Sequence, residues 1–175
     1  MPLAQQPWGR PPSATILPYQ YETGEQSHRF GANTPADGTL SQNRGYFVRF
    51  FVTSPYEVRN AVVANGITIA GNIDFGIYTT SGTRLISTGL TAHAGASNAQ
   101  VVAMSYLLDA GEYYMAFGTD SSTARFWRWT QGTQVGRLGG LYTAASVIPL
   151  PASVTFAIPQ VNDLPIFGIT TMATL

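Results

Sequence analysis

Between Ile67 and Tyr78 the chain reads I-T-I-A-G-N-I-D-F-G-I-Y. Ile67, Ile69, Ile73, Phe75 and Ile77 fall on one parity, and Thr68, Asn72 and Asp74 on the other. A period of two predicts a strand with one apolar face. The turn Thr79-Thr80-Ser81-Gly82-Thr83 follows, and Arg84-Leu85-Ile86-Ser87 starts a return strand. Upstream, Tyr46, Val48, Phe50 and Val52 alternate with Phe47, Arg49, Phe51 and Thr53, until Ser54-Pro55 breaks the run. Tyr56, Val58 and Val62 then alternate with Glu57, Arg59 and Val63. Asn65-Gly66 reads as a hairpin turn between that strand and the Ile67 strand. Gln100 to Leu108 is apolar on both parities, which fits a strand buried on both faces or a short helix; its β-rich flanks favour the strand. After Asp109-Ala110-Gly111, the residues Tyr113, Met115 and Phe117 form a one-sided strand. We expect it to lie beside or opposite Ile69, Ile73, Phe75 and Ile77 in the core. Short strands separated by Gly/Pro turns, with no amphipathic helix pattern, predict an all-β fold. A jelly-roll-like β-sandwich is its most economical form, because it limits free edges.

Three zones differ in composition. Residues 1–45 hold six of the eleven prolines and read as an extended Pro-rich N-terminal arm, since proline fixes φ and donates no hydrogen bond. Trp8, Ile16, Leu17, Tyr19 and Tyr21 give that arm apolar anchors for a subunit interface. Residues 46–175 form the sandwich domain, with its core at 46–130 and C-terminal strands and loops at 131–175. In the last zone Val154, Phe156 and Ile158 make one plausible strand. Ile166 to Leu175 is a further apolar stretch that would invite association if exposed.

Charged residues make up only 10% of the 175, against roughly 25% in ordinary domains. A surface so poor in charge suggests that partners cover much of it. The formal net charge is zero, so bulk electrostatics give no reason to expect nucleic acid. All nine basic residues are Arg, a side chain suited to buried interfaces, although a compositional bias of the source genome would give the same count. The absence of Cys excludes disulfides, thiolate metal sites and thiol nucleophiles. No apolar run approaches the ~20 residues of a membrane helix, and the first residues show no signal-peptide pattern, so neither a membrane nor a secretory leader is expected.

Candidate chemistry is sparse. His28 and His93 have no ligand-like neighbours in sequence, and Asp74, Asp109, Glu112 and Asp120 read as residues of solvated faces and turns. No nucleophile-elbow, phosphate-loop or zinc-protease pattern occurs. We expect no enzyme activity, no cofactor and no metal. The best candidate site is Phe126-Trp127-Arg128-Trp129. Trp127 and Trp129 share a parity and can stack sugar rings, with Arg128 bonding hydroxyls, as a glycan platform. The same run also fits two core indoles with Arg128 outside.

G-N-I-D-F-G-I-Y-T-T-S-G-T-R-L-I-S-T-G, at residues 71–89, is followed by L-L-D-A-G-E-Y-Y-M-A-F at 107–117. Over about residues 56–120 this resembles a sandwich module recurrent in tailed-bacteriophage virion proteins. Carbohydrate-binding modules and accessory sandwiches of secreted enzymes share the wording, but usually follow a signal peptide or a catalytic domain. The resemblance implies a virion structural component assembled in the host cytoplasm, most simply a capsid decoration (cement) protein. It implies contacts with a major capsid or tail protein and a homo-oligomer, with a trimer favoured. The alternative is a glycan-binding or receptor-binding module of a tail or fibre.

Overall fold

The computed structural model describes residues 36–130, 141–145, 148–157 and 163–171. Among them the chain is all-β, without a helix. Its strands are β1 (Ala36–Thr39), β2 (Arg44–Val52), β3 (Tyr56–Ala64), β4 (Asn72–Thr79), β5 (Arg84–Ser87) and β6 (Thr91–Ala92). Then come β7 (Ala99–Leu108), β8 (Gly111–Thr119), β9 (Arg125–Thr130), β10 (Leu141–Ala144), β11 (Asp163–Pro165) and β12 (Phe167–Thr170).

One register organises most of them. Arg44 faces Thr119 and Val52 faces Gly111. Tyr56 faces Leu108 and Ala64 faces Ala99. Asn72 faces Ala92, and Gly76 faces Ser87. As one residue number climbs, its partner falls in step. These pairs are rungs of a single long antiparallel hairpin whose closed end is the turn at 79–83. The ribbon rolls up, so that β4 also lies along β8, from Ile73 opposite Thr119 to Thr79 opposite Tyr113. The result is a jelly-roll-like β-sandwich. One sheet runs β10-β2-β8-β4-β5 with β6 beside β4; the other runs β12-β3-β7, and a small third sheet, β1-β9-β11, adjoins them.

The closed end depends on glycine. Gly82 has φ +86°, where an L side chain is strained. A Cβ there would also run into the carbonyl oxygen of Val154. Gly82 N–H donates to Thr79 O at 3.0 Å, and Gly82 O accepts from Val154 N–H at 2.9 Å.

The main core lies between the two large sheets. Ile73, Phe75 and Ile77 of β4 meet Met115 and Phe117 of β8, with Phe75 directly opposite Phe117 and their rings 5.0 Å apart. Tyr113 packs at the edge of this cluster, 5.9 Å from Phe50. The expected core row is therefore present from Ile73 onward. Ile69 is only half-buried and Ile67 is exposed, because β4 starts at Asn72 and the preceding residues cross between sheets.

A second apolar layer was not anticipated. Phe47, Tyr78, Tyr114, Ala116 and Leu150 cluster on the outer face of the larger sheet, against Tyr142, Ile148, Val154 and Phe156. The segment 148–157 lies across that face as a strap. Hence Tyr46-Phe47-Val48 and Tyr114 to Phe117 are buried on both parities, as sheet centres covered on both faces are.

Other expectations are corrected. Asn65-Gly66 is not a hairpin turn: β3 and β4 belong to different sheets, Asn65 bridges Phe126, and Gly66 N–H bonds Arg125 O at 2.8 Å. Gln100 to Leu108 is a strand, but only one face is buried; Val101, Ala103, Ser105 and Leu107 look outward. Within the apolar stretch from Ile166, Phe167 and Ile169 fill the main core and are not exposed; Met172 to Leu175 lie outside the described residues. Val154 and Phe156 cover the second layer, and Ile158 lies outside the described residues. Residues 36–45, grouped with the arm by composition, hold β1 and the start of β2.

Two truncations test the two layers. Phe75→Ala should cost about 3–5 kcal/mol and Leu150→Ala about 2–5 kcal/mol in denaturant unfolding. A Leu150→Ala midpoint equal to that of the parent would show that the strap is not packed in solution.

Candidate functional site

The aromatic run forms β9, the centre of the small sheet. β1 pairs on one side, with Asp37 opposite Trp127, and β11 on the other, with Leu164 opposite Trp129. Phe126 points inward and is fully buried, in edge contact with Phe117 at 5.2 Å. The two tryptophans share a parity but not an environment. Trp127 is 40% exposed, while Trp129 packs on the main core.

Arg128 is not free for a ligand. It is ion-paired with Asp163 of β11. Gly38 of β1 leaves the space its guanidinium fills, since a Cβ at position 38 would overlap it. Arg125 pairs with Asp37 at 3.0 Å and also donates to Asp37 O at 2.9 Å. The two arginines thus bind β1 and β11 to β9, and Trp127 is left as the open aromatic of the predicted platform.

The residues at one end of the roll bind loops to one another. His93 is buried and stacks on Phe126 at 4.5 Å. Its Nδ1 accepts from Ala70 N–H at 3.4 Å, and its Nε2 has no hydrogen-bond partner among the described residues. Burial disfavours the cation and holds the His93 pKa below its ordinary 6.5. Asn65 donates to Ala94 O, Gly95 O and Gln100 Oε1. Asp120 accepts from Asn72 N–H at 2.6 Å and Asn72 Nδ2 at 2.8 Å, and these bonds to the carboxylate lower its pKa.

Asp74, expected on a solvated face, is fully buried. Its carboxylate accepts from Ser87 Oγ at 2.8 Å, Thr88 Oγ1 at 3.2 Å and Leu150 N–H at 2.9 Å. Tyr78 OH donates to Pro151 O at 2.7 Å, and Arg84 to Leu150 O. Asp74 therefore anchors the strap. The hairpin register offered a signal for this: closure at 79–83 carries Ser87 and Thr88 back to Asp74, so two hydroxyls meet one carboxylate.

No protein-family model, curated protein or solved structure matches this chain. Among the described residues no three His, Asp or Glu side chains cluster to hold a metal ion, and no helix is long and apolar enough to cross a membrane. His93 and Asp74 are withdrawn from solvent, and the groups around Asp74 and Asp120 join strand to strap and loop to loop. Trp8, Ile16, Leu17, Tyr19, Tyr21 and His28 lie outside the described residues.

His93 gives a pH prediction. In the fold it stays neutral below 6.5, whereas the unfolded chain takes up a proton there, so its contribution is complete above about 6.5 and shrinks as pH falls. Unfolding free energy should decline between pH 6.5 and 5, with a shallower slope in His93→Phe; equal slopes would assign the effect elsewhere. On β9, Trp127→Ala should cost under about 1 kcal/mol and Trp129→Ala on the order of 2 kcal/mol, read by thermal melting.

Proposed function

We propose that this chain is a structural protein of a tailed-phage virion, most simply a capsid decoration (cement) protein that stabilises the particle through subunit contacts. What supports this reading is the combination of an all-β body with two packed apolar layers and a surface poor in charge. Phe51, Ile67, Leu90, Val101, Leu107 and Trp127 are large apolar side chains in solvent, on a chain with 10% charged residues. A surface of that kind gains by being covered, at roughly 25 cal/mol per Å² of apolar area before the costs of association. The motif at 71–89 and 107–117 adds the resemblance to virion sandwiches, and forms the closed end of the roll and the strand that seals it. Arg128, Asp74 and Asp120 fasten strands, strap and loops to one another.

In this reading the Pro-rich residues 1–35 attach the body to a major capsid or tail protein, through Trp8, Ile16, Leu17, Tyr19 and Tyr21. Proline restricts the free chain, so less entropy is lost when such a segment is ordered on a partner. Copies group around a symmetry axis, with a trimer favoured by the resemblance, and the protein works in the virion after assembly in the host cytoplasm. It has no catalytic role and uses neither nucleic acid nor membrane. A second reading, a glycan-binding module of a tail or fibre, draws on the exposed indole of Trp127. Glycan-array binding that Trp127→Ala abolishes, with assembly intact, would select it.

Deleting residues 1–21 should leave the sandwich folded and weaken its attachment to the particle. Particles decorated at full occupancy by the truncated protein, with unchanged resistance to salt and heat, would refute the attachment role.

A further inference from the structure

The edges of the sheets are unequal. β6 has two residues, β11 three, and β1, β10 and β12 four each. The edge of β5 is met by the strap, through Thr83 opposite Ser153 and Arg84 N–H bonded to Ala152 O. β10 is met in the same way, through Thr143 opposite Ala157. β7 differs. It spans ten residues, pairs with β3 on one side, and has no strand on its other side among the described residues. Its sequence, A-Q-V-V-A-M-S-Y-L-L, carries neither charge nor proline. Natural edges are usually shortened, charged, bulged or covered, because free N–H and C=O groups recruit another strand. β7 has one bulge, at Met104-Ser105 opposite Arg59, and its outward and inward residues still alternate through it.

The outward row of β7 is self-complementary. Val101 is 39% exposed and Leu107 63%, with the small Ala103 and Ser105 between them. Consider two copies of β7 placed antiparallel about a two-fold axis at Met104. Val101 then lies opposite Leu107 of the second copy, twice by symmetry, and Ala103 lies opposite Ser105. Large apolar residues meet at the ends and small ones at the centre, the kind of cross-strand pairing that stabilises a sheet. Asp109, the first charge beyond the strand, falls opposite Ala99, so no like charges meet. On the neighbouring β3, Glu57 and Arg59 are already paired at 2.9 Å.

We propose that the outer edge of β7 is a homotypic docking edge, joining two copies of this chain antiparallel into a continuous β12-β3-β7-β7-β3-β12 sheet. The contact is isologous. It does not close a trimer and does not depend on the virion reading; where the chain forms trimers, it joins subunits of neighbouring trimers two by two.

Sedimentation equilibrium of the full chain should show a reversible two-fold step. V101K/L107K places Lys opposite Lys at both ends and should weaken that step by at least about tenfold. V101K/L107E places opposite charges there instead, and should restore association with a new sensitivity to salt. Both side chains are exposed, so circular dichroism and melting should match the parent. Because the chain has no Cys, A103C/S105C should form a disulfide-linked dimer on mild oxidation, a readout that stands even if the lysine variant folds poorly. A parent with no two-fold step at ~100 µM, well above the micromolar range of weak specific contacts, would overturn the proposal. So would association that V101K/L107K leaves intact but deletion of residues 1–21 removes. Loss in V101K/L107K with neither recovery in V101K/L107E nor cross-linking in A103C/S105C would overturn it as well.

Discussion

The antiparallel register that closes at residues 79–83 constrains the rest of the molecule. Once Thr79 N–H bonds Thr83 O at 2.8 Å, a ribbon can run outward from Gly76 opposite Ser87 to Arg44 opposite Thr119. A slip of one residue would turn every side chain to the other face. Here such a slip would be doubly costly, because the ribbon is rolled and β4 must also match β8 with Phe75 opposite Phe117. The one irregularity within β3 and β7, between Val58 and Asn60, leaves an extra residue in β7 yet preserves that strand's alternation of outward and inward residues.

Covering the larger sheet on both faces creates a polar problem that Asp74 solves. A residue at the centre of a sheet under a strap loses water, and its lone pairs need donors. Ser87, Thr88 and the Leu150 backbone supply them. The bonds tie the return strand and the strap to β4 at one point. Tyr78 reinforces the attachment through Pro151, and burial raises the pKa of its hydroxyl, so it remains a neutral donor.

Much of this fold was legible in the sequence, for reasons that differ by element. The return at 79–83, the Ile73/Phe75/Ile77 row and its meeting with Met115 and Phe117 follow from alternation and turn chemistry, which are local. The second layer was not legible in that way. Tyr46-Phe47-Val48 looks like a one-sided strand with an aromatic neighbour until Leu150 and Phe156, a hundred residues on, are seen to cover it. Asn65-Gly66 misled because the dipeptide that favours a tight turn can also sit at a crossing between sheets, where the Asn65 amide serves the 94–100 loop. In the candidate site, sequence parity placed Trp127 and Trp129 on one face but could not separate an indole in solvent from one leaning on the core. Nor could it show that Asp163 engages Arg128.

The turn at Gly82 also bears on how the roll can be reached from a disordered chain. Arg44 and Thr119 are far apart in sequence, and joining them first would close a long loop at a high cost in entropy. Starting from the turn, each rung instead shortens the loop that the next must close, so distant strands meet through a succession of local steps. The sealing of β4 against β8 has no such staircase. It joins Ile73 to Thr119 across the rolled ribbon, a non-local pairing of the kind that slows folding.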